Sequence, residues 1–180
     1  MPIIASDILV KLSVKTGSSG NSTAQADPNN SLGKYISTTQ LTDNTLGNLF
    51  DDVTGDENAA SDVEYRCLFV HNAHATLTLI DPKLWIETQV AGGATCAIGL
   101  DTTAASALGS SPAQALEVAN EGAAPAGVSF SAPADKASGL SVGDLGPGQV
   151  KAFWIRRTAA NSAAQNDDGI TFRIEGDTLA

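Results

Sequence analysis

The stretch LFDDVTGDENAASDVEYRCLFVHN, residues 49–72, decides how the rest of the chain is read. In its second half, Tyr65 to Val70 are β-branched, aromatic or aliphatic apart from Arg66 and Cys67. A strand buried on both faces tolerates that composition and a surface loop does not. The expectation is a central strand. The carboxylates around it, Asp51, Asp52, Asp56, Glu57, Asp62 and Glu64, cannot enter a core unpaired, because an isolated buried charge is too costly. They are expected in an exposed loop that feeds the strand.

Working outward, Ile8, Val10, Leu12 and Val14 alternate with Leu9, Lys11, Ser13 and Lys15, which predicts a first strand with its lysines on a wet face. Residues 16–31, TGSSGNSTAQADPNNS, are nearly all turn formers and read as an extended loop or arm. Asn44 as a cap, with Leu46, Leu49 and Phe50 at helical spacing, predicts a short helix within residues 41–53. Strands are expected at residues 64–72, 75–80, 84–90 and 95–100. Their connectors HNAH, DPK and AGG are short enough for hairpins.

Within the Ala-, Ser-, Gly- and Pro-rich residues 101–138, Ser111, Pro112, Gln114 and Gly122 have the spacing of a capped helix at 112–120. Val128 with Phe130, and Leu140 with Val142, suggest further strands before the turn at Gly146, Pro147 and Gly148. Two long strands close the chain at 149–157 and 169–176. In the first, Ala152, Trp154 and Arg156 share one face and Phe153, Ile155 and Arg157 the other. In the second, Ile170, Phe172 and Ile174 alternate with Thr171, Arg173 and Glu175. Residues 158–168 between them, ending in NDDG, form a second extended loop. The sum is one domain over residues 1–180: all-β, an antiparallel two-sheet β-sandwich, jelly-roll-like, with one or two short helices and long loops.

Composition narrows the function. Twenty acids against ten bases give a formal charge of −10. Such a surface repels phosphate and disfavours nucleic acid as a partner. No apolar run approaches the length of a membrane helix, and no basic segment precedes the first apolar residues, so neither a span nor a signal peptide is expected. Cys67 and Cys96 lie among apolar neighbours. Two buried free thiols are favoured over a bridge, which would need their strands to face each other.

Candidate chemistry is sparse. His71 and His74, with the two cysteines, are weighed as metal ligands, but turn and edge histidines are the preferred reading. The acidic loop does not fit the EF-hand spacing. There is no GxSxG elbow, and GSSGNS lacks the Lys-Ser or Lys-Thr that completes a phosphate loop. Arg156 and Arg157 read as an ion-pairing edge strand, and the sequons at Asn21 and Asn29 carry no weight without a secretory route. No enzyme, cofactor, metal or catalytic residue is expected. Trp85, Trp154 and Tyr35 could form the stacking platform of a carbohydrate-binding β-sandwich module, although core placement is favoured for both tryptophans.

Four blocks carry a further signal: NNSLGKYIST (residues 29–38), the stretch at 49–72, GLSVGDLGPGQVKAFWIRRTAANSAAQNDDG (139–169) and FRIEGDT (172–178). Together they resemble a family of structural proteins of tailed bacteriophages, over most of the chain except its Ala-rich middle. The resemblance implies a virion component, most simply a decoration or cement protein on the outer surface of the capsid. Its implied partners are the major capsid protein and copies of itself, as a dimer or trimer. It would be assembled in the host cytoplasm, with no nucleic-acid or membrane partner. The loops at 16–31 and 158–168, with residues 51–62, are the expected subunit contacts. A tail, baseplate or head-to-tail junction component is the alternative.

Overall fold

Two antiparallel sheets face each other, and the order of their strands follows from which residues are apolar on both faces. The structure is a computed structural model that describes residues 2–165 and 168–178. Its elements are β1 (Ile8–Val14), β2 (Tyr35–Gln40), α1 (Gly55–Ala60), β3 (Val63–Asn72), β4 (Ile80–Gln89), β5 (Thr95–Leu100), β6 (Ser106–Ala107), β7 (Leu140–Ser141), β8 (Gln149–Thr158) and β9 (Ile170–Asp177). The larger sheet runs β2-β1-β3-β8-β5, with β6 extending the β5 side of β8; the smaller runs β7-β4-β9. The chain is therefore an all-β two-sheet sandwich.

β3 lies between β1 and β8, as its composition demands. Leu68 and Val70 point into the core shared by the two sheets, with Phe153 and Ile155 of β8. Cys67 and Phe69 point the other way, into a second core with Ala152 and Trp154. That outer core is roofed by loop residues, including Leu32, Ala115 and Val118, and not by a third sheet. Trp154 is fully buried there, a burial that contributes roughly 1.5–3 kcal/mol. Its indole N–H donates to Asp101 Oδ2 at 2.7 Å, which satisfies the one polar atom of the ring.

The roof explains several departures from expectation. Lys11 is buried, and its Nζ donates to Asn21 Oδ1 at 2.9 Å, because residues 16–31 fold over the face expected to be wet. That loop also closes back into the sheet. Where the β1–β3 ladder ends at Leu12 and Leu68, Ser31 sits between the strands. Its hydroxyl accepts from Ser13 N at 2.8 Å and donates to Cys67 O at 2.6 Å. The helix expected at 112–120 does not form. Gln114, expected in a capping box, is instead buried, with its amide donating to Ser106 Oγ and Ala107 O. The backbone of this segment runs alongside residues 32–34. A nine-residue helix has little stability of its own, and the tertiary partner wins.

The helix expected within 41–53 is also absent; Asn44 takes a left-handed conformation and Leu46 is 78% exposed. The α-helix lies just beyond, at α1. There Thr54 Oγ1 accepts from Glu57 N at 3.3 Å, and Glu57 Oε2 accepts from Thr54 N at 2.7 Å. Residues 75–79 form no strand beyond a single bridge of Leu79 to Leu145, and Val128 with Phe130 form none. β4 runs through Pro82 by means of a bulge at Asp81, so DPK is strand and not turn. HNAH and AGG are not hairpins: β3, β4 and β5 lie alternately in the two sheets, so both connectors cross the sandwich.

Gly33 marks where the roof presses hardest. Its φ is +92°, and a Cβ there would lie 1.8 Å from Leu116 O and 3.1 Å from the Trp154 ring. Gly47 has φ +64° with nothing within 4 Å. Both substitutions to alanine incur the left-handed cost of about 1–2 kcal/mol. Gly33→Ala must also displace backbone, so its melting temperature should fall well below that of Gly47→Ala. Equal losses in the two variants, measured by thermal denaturation, would contradict this packing.

Candidate functional site

One end of the sandwich gathers the segments that the sequence singles out. The start of β3, the end of β8 and the start of β5 meet there, since Thr158 is opposite both Val63 and Thr95. The acidic residues 49–62, the turn at Pro28–Asn30, Glu121 and the segment after β8 all emerge at this end.

Two arginines hold them. Arg66 is completely buried. Its Nε donates to Leu49 O at 3.2 Å, and its Nη2 donates to Asn29 Oδ1 at 2.8 Å and to Glu121 Oε2 at 2.7 Å. Arg157 donates through Nε to Glu64 Oε2 at 2.7 Å and through Nη2 to Asp51 Oδ1 at 3.3 Å, with a further bond from Nη1 to Asp51 O. The Phe50 ring lies between the two guanidinium groups, 4.9 Å from that of Arg66 and 4.7 Å from that of Arg157. Such contacts are worth most when the cation is desolvated, as both are here.

Glu64 corrects the expectation of a fully exposed acidic loop. It is 5% exposed and belongs to this charge cluster. Burial pushes its carboxyl above the usual range, against the pull of Arg157 and Arg66. Asp51, Asp52, Asp56 and Asp62 are exposed as expected. Glu57 is held below its usual range by its bonds to Thr54. Asn58 and Ser162 tie α1 to the segment after β8, with Asn58 Nδ2 donating to Ser162 O at 2.8 Å and Ser162 N donating to Asn58 Oδ1 at 3.2 Å. Within the predicted NDDG turn, Asn166 and Asp167 lie outside the described residues.

The other candidates are dispersed. His71 is buried in β3; burial and the nearby Lys11 lower its pKa. His74 Nδ1 accepts from Thr76 N and Leu77 N, which stabilises a turn. Among the described residues no group of three or more His, Cys, Asp or Glu side chains is placed to hold a metal ion. Cys67 and Cys96 are free thiols in separate cores on opposite faces of the larger sheet. Trp85, Trp154 and Tyr35 are all buried, so none offers a face for stacking on a sugar. Of the sequons, Asn21 and Asn29 use their side chains on Lys11 and Arg66. A hollow of about 520 Å³ beside β5 is lined by residues 89–93, Phe130 and Arg156, whose guanidinium lies 5.4 Å from the Phe130 ring. No helix among the described residues is long and apolar enough to cross a membrane.

The T-x-x-E spacing of Thr54 and Glu57 was the signal that could have located α1. Nothing in the sequence marks Arg66 or Glu121 as partners, because they are 55 residues apart in the chain.

Two outcomes follow from this geometry. Replacing Arg157 with methionine leaves Glu64 buried without its closest partner and should cost about 3–5 kcal/mol near neutral pH. Without the pull of Arg157, the folded-state pKa of Glu64 rises further above the unfolded value of about 4.3. The protonated folded form is then favoured, so the deficit should shrink as pH falls through the raised pKa and return as pH rises. Denaturant titrations showing a constant deficit between neutral and about pH 5 would contradict the cluster. The thiols should also be silent in the native protein: burial raises Cys67 well above its ordinary value and Cys96 to about 12. A thiol reagent should label both only after unfolding, and native labelling at the rate of a free thiol would be inconsistent with these positions.

Comparison of the chain with family models, with curated proteins and with solved structures finds no match.

Proposed function

We propose that this chain is a structural protein of a tailed-bacteriophage virion, a decoration protein that docks on the outer surface of the capsid and stabilises the shell. The observation that carries this reading is the convergence of acidic loops at one end of the sandwich, held in fixed shape by Arg66 and Arg157. A docking surface built from loops must either be pre-organised or lose ordering entropy on binding, and buried anchors supply pre-organisation. The resemblance of four sequence blocks to phage structural proteins supports the same assignment, with the major capsid protein as partner. An excess of acid on the surface fits a protein that works beside DNA without adhering to it.

In this reading the exposed carboxylates Asp52, Asp56 and Asp62 face the shell and steer its approach. Changing all three to lysine should abolish binding to purified shells. Each change should alter stability by no more than about 0.5 kcal/mol, the usual limit at exposed sites. In purified particles, gel densitometry should count nearly one copy per major capsid subunit. A count in the tens would move the protein to the tail, baseplate or head-to-tail junction. Its absence from particles would overturn the proposal.

A further inference from the structure

An uncovered sheet edge offers a row of unpaired backbone groups to any strand that can lie beside it. In the larger sheet both outer edges are covered. Along β2, Asn21 N donates to Ile36 O at 2.6 Å and Thr38 N donates to Thr23 O at 3.0 Å. Along β5, Ile98 exchanges bonds with Ser131 at 2.8 and 3.0 Å. In the smaller sheet, the far side of β4 is occupied by β7 and by Pro133 O, which accepts from Ile86 N at 2.8 Å. Apart from the two-residue β7, β9 is the exception. Among the described residues its outer edge meets no backbone partner.

Several protections of an edge are missing from β9, whose charges Arg173, Glu175 and Asp177 all lie on its exposed face. It contains no proline. Both irregularities of the β4–β9 ladder place the extra residue in β4, between Ile80 and Lys83 and between Ile86 and Thr88, so β9 itself runs without a bulge. Its inward residues Ile170, Phe172 and Ile174 are half-buried and carry no charge. Alongside lies an apolar groove of about 370 Å³, with Ile3, Ile4, Ile8 and Val10 on one side and Phe172 and Ile174 on the other. Ile4 on its rim is 54% exposed.

We propose that β9 pairs antiparallel with β9 of a second copy across a two-fold axis at Ile174, fusing the two smaller sheets into one. The charges select this occupant and this register. Centred on Ile174, Arg173 of each copy lies opposite Glu175 of the other, and Phe172 lies opposite Gly176, large against small. Centring the pair on Arg173 or on Glu175 sets like charges directly opposite. Centring it on Phe172 leaves both charges without an opposite partner. A slip by one residue would turn the apolar face outward. Within one copy Arg173 pairs with Glu87 at 2.9 Å and Glu175 with Lys136 at 2.7 Å. The Arg173 and Glu175 side chains remain 53% and 50% exposed, free to be shared across the axis.

The inference stands on the strand edge and not on the virion reading, which a monomer in solution would leave intact. Its test is sedimentation equilibrium of the full chain. The native chain should form a reversible dimer. Arg173→Glu and Glu175→Arg should each weaken it by roughly tenfold, since each reverses two symmetry-related pairs. The double variant R173E/E175R should restore native affinity. It restores the pairing between copies but not the bonds to Glu87 and Lys136, so recovery cannot come from the isolated fold. Thermal denaturation of each variant establishes that it is folded. A native chain that stays monomeric up to about 1 mM would overturn the proposal. So would single reversals that leave association unchanged, a double variant that fails to recover, or a monomer that pairs only with another protein's strand.

Discussion

The buried charge cluster of Arg66, Glu64 and Arg157 is the constraint on which the shape of the molecule depends. Two adjacent central strands carry these side chains into a region that would otherwise be aliphatic. Arginine suits the position because its planar fork can serve several acceptors at once. Arg66 uses that fork on three separated segments: Leu49, Asn29 and Glu121. A hydrophobic residue in its place could fill the volume, but it could not dictate where those loops go. Buried ion pairs are weak sources of net stability; what this one supplies is specificity of loop placement.

Placement matters because the larger sheet is covered on its outer face by loops. A second sheet or a helix would satisfy its own backbone. Loops must find partners one by one, and here they do so through side chains aimed at main-chain groups. Gln114 accepts from Ile36 N, Asp101 accepts from Leu116 N, and Lys151 donates to Asp101 O. Asn72 donates to Leu77 O and Leu145 O at the opposite end. Gln114, Asp101 and Asn72 are polar yet buried, which is tolerable only because their bonds are made. The same loops seal the edges of the larger sheet, so roof and edge protection come from one set of segments.

The strands with a clear period or a continuous apolar run were legible: β1, β3, β5, β8 and β9 fall within a residue or two of expectation. The two faces of β8 also separate as their alternation requires, with Phe153 and Ile155 in one core and Ala152 and Trp154 in the other. β2 escaped notice because YISTTQ is short and polar at its end, and its strand character comes from β1 and from Asn21 and Thr23. The helix expected at 112–120 failed for a related reason: local capping chemistry says nothing of a buried Gln114 whose amide is claimed by residues far away in the chain. Of the acidic end, the carboxylates were legible and the anchors were not. Charge density is a local property, whereas the pairing of Arg66 with Glu121 is a tertiary one.

The two surfaces also bear a fixed relation. β9 begins at Ile170, opposite Gln89, beside the end where the acidic loops emerge, and finishes at Asp177, opposite Ile80, at the other end. Antiparallel pairing through β9 therefore sends the acidic ends of two copies in opposite directions along the strand axis. Neither end is covered by the pairing, because the contact runs along the side of the sandwich. Under the proposed function, such a dimer would present two identical acidic ends to the shell, separated by the length of the fused sheet and held by backbone pairing and not by a flexible linker. Rigid spacing of that sort raises avidity only where two receptor sites stand at the matching distance. A regular protein lattice meets that condition, and a lone receptor does not.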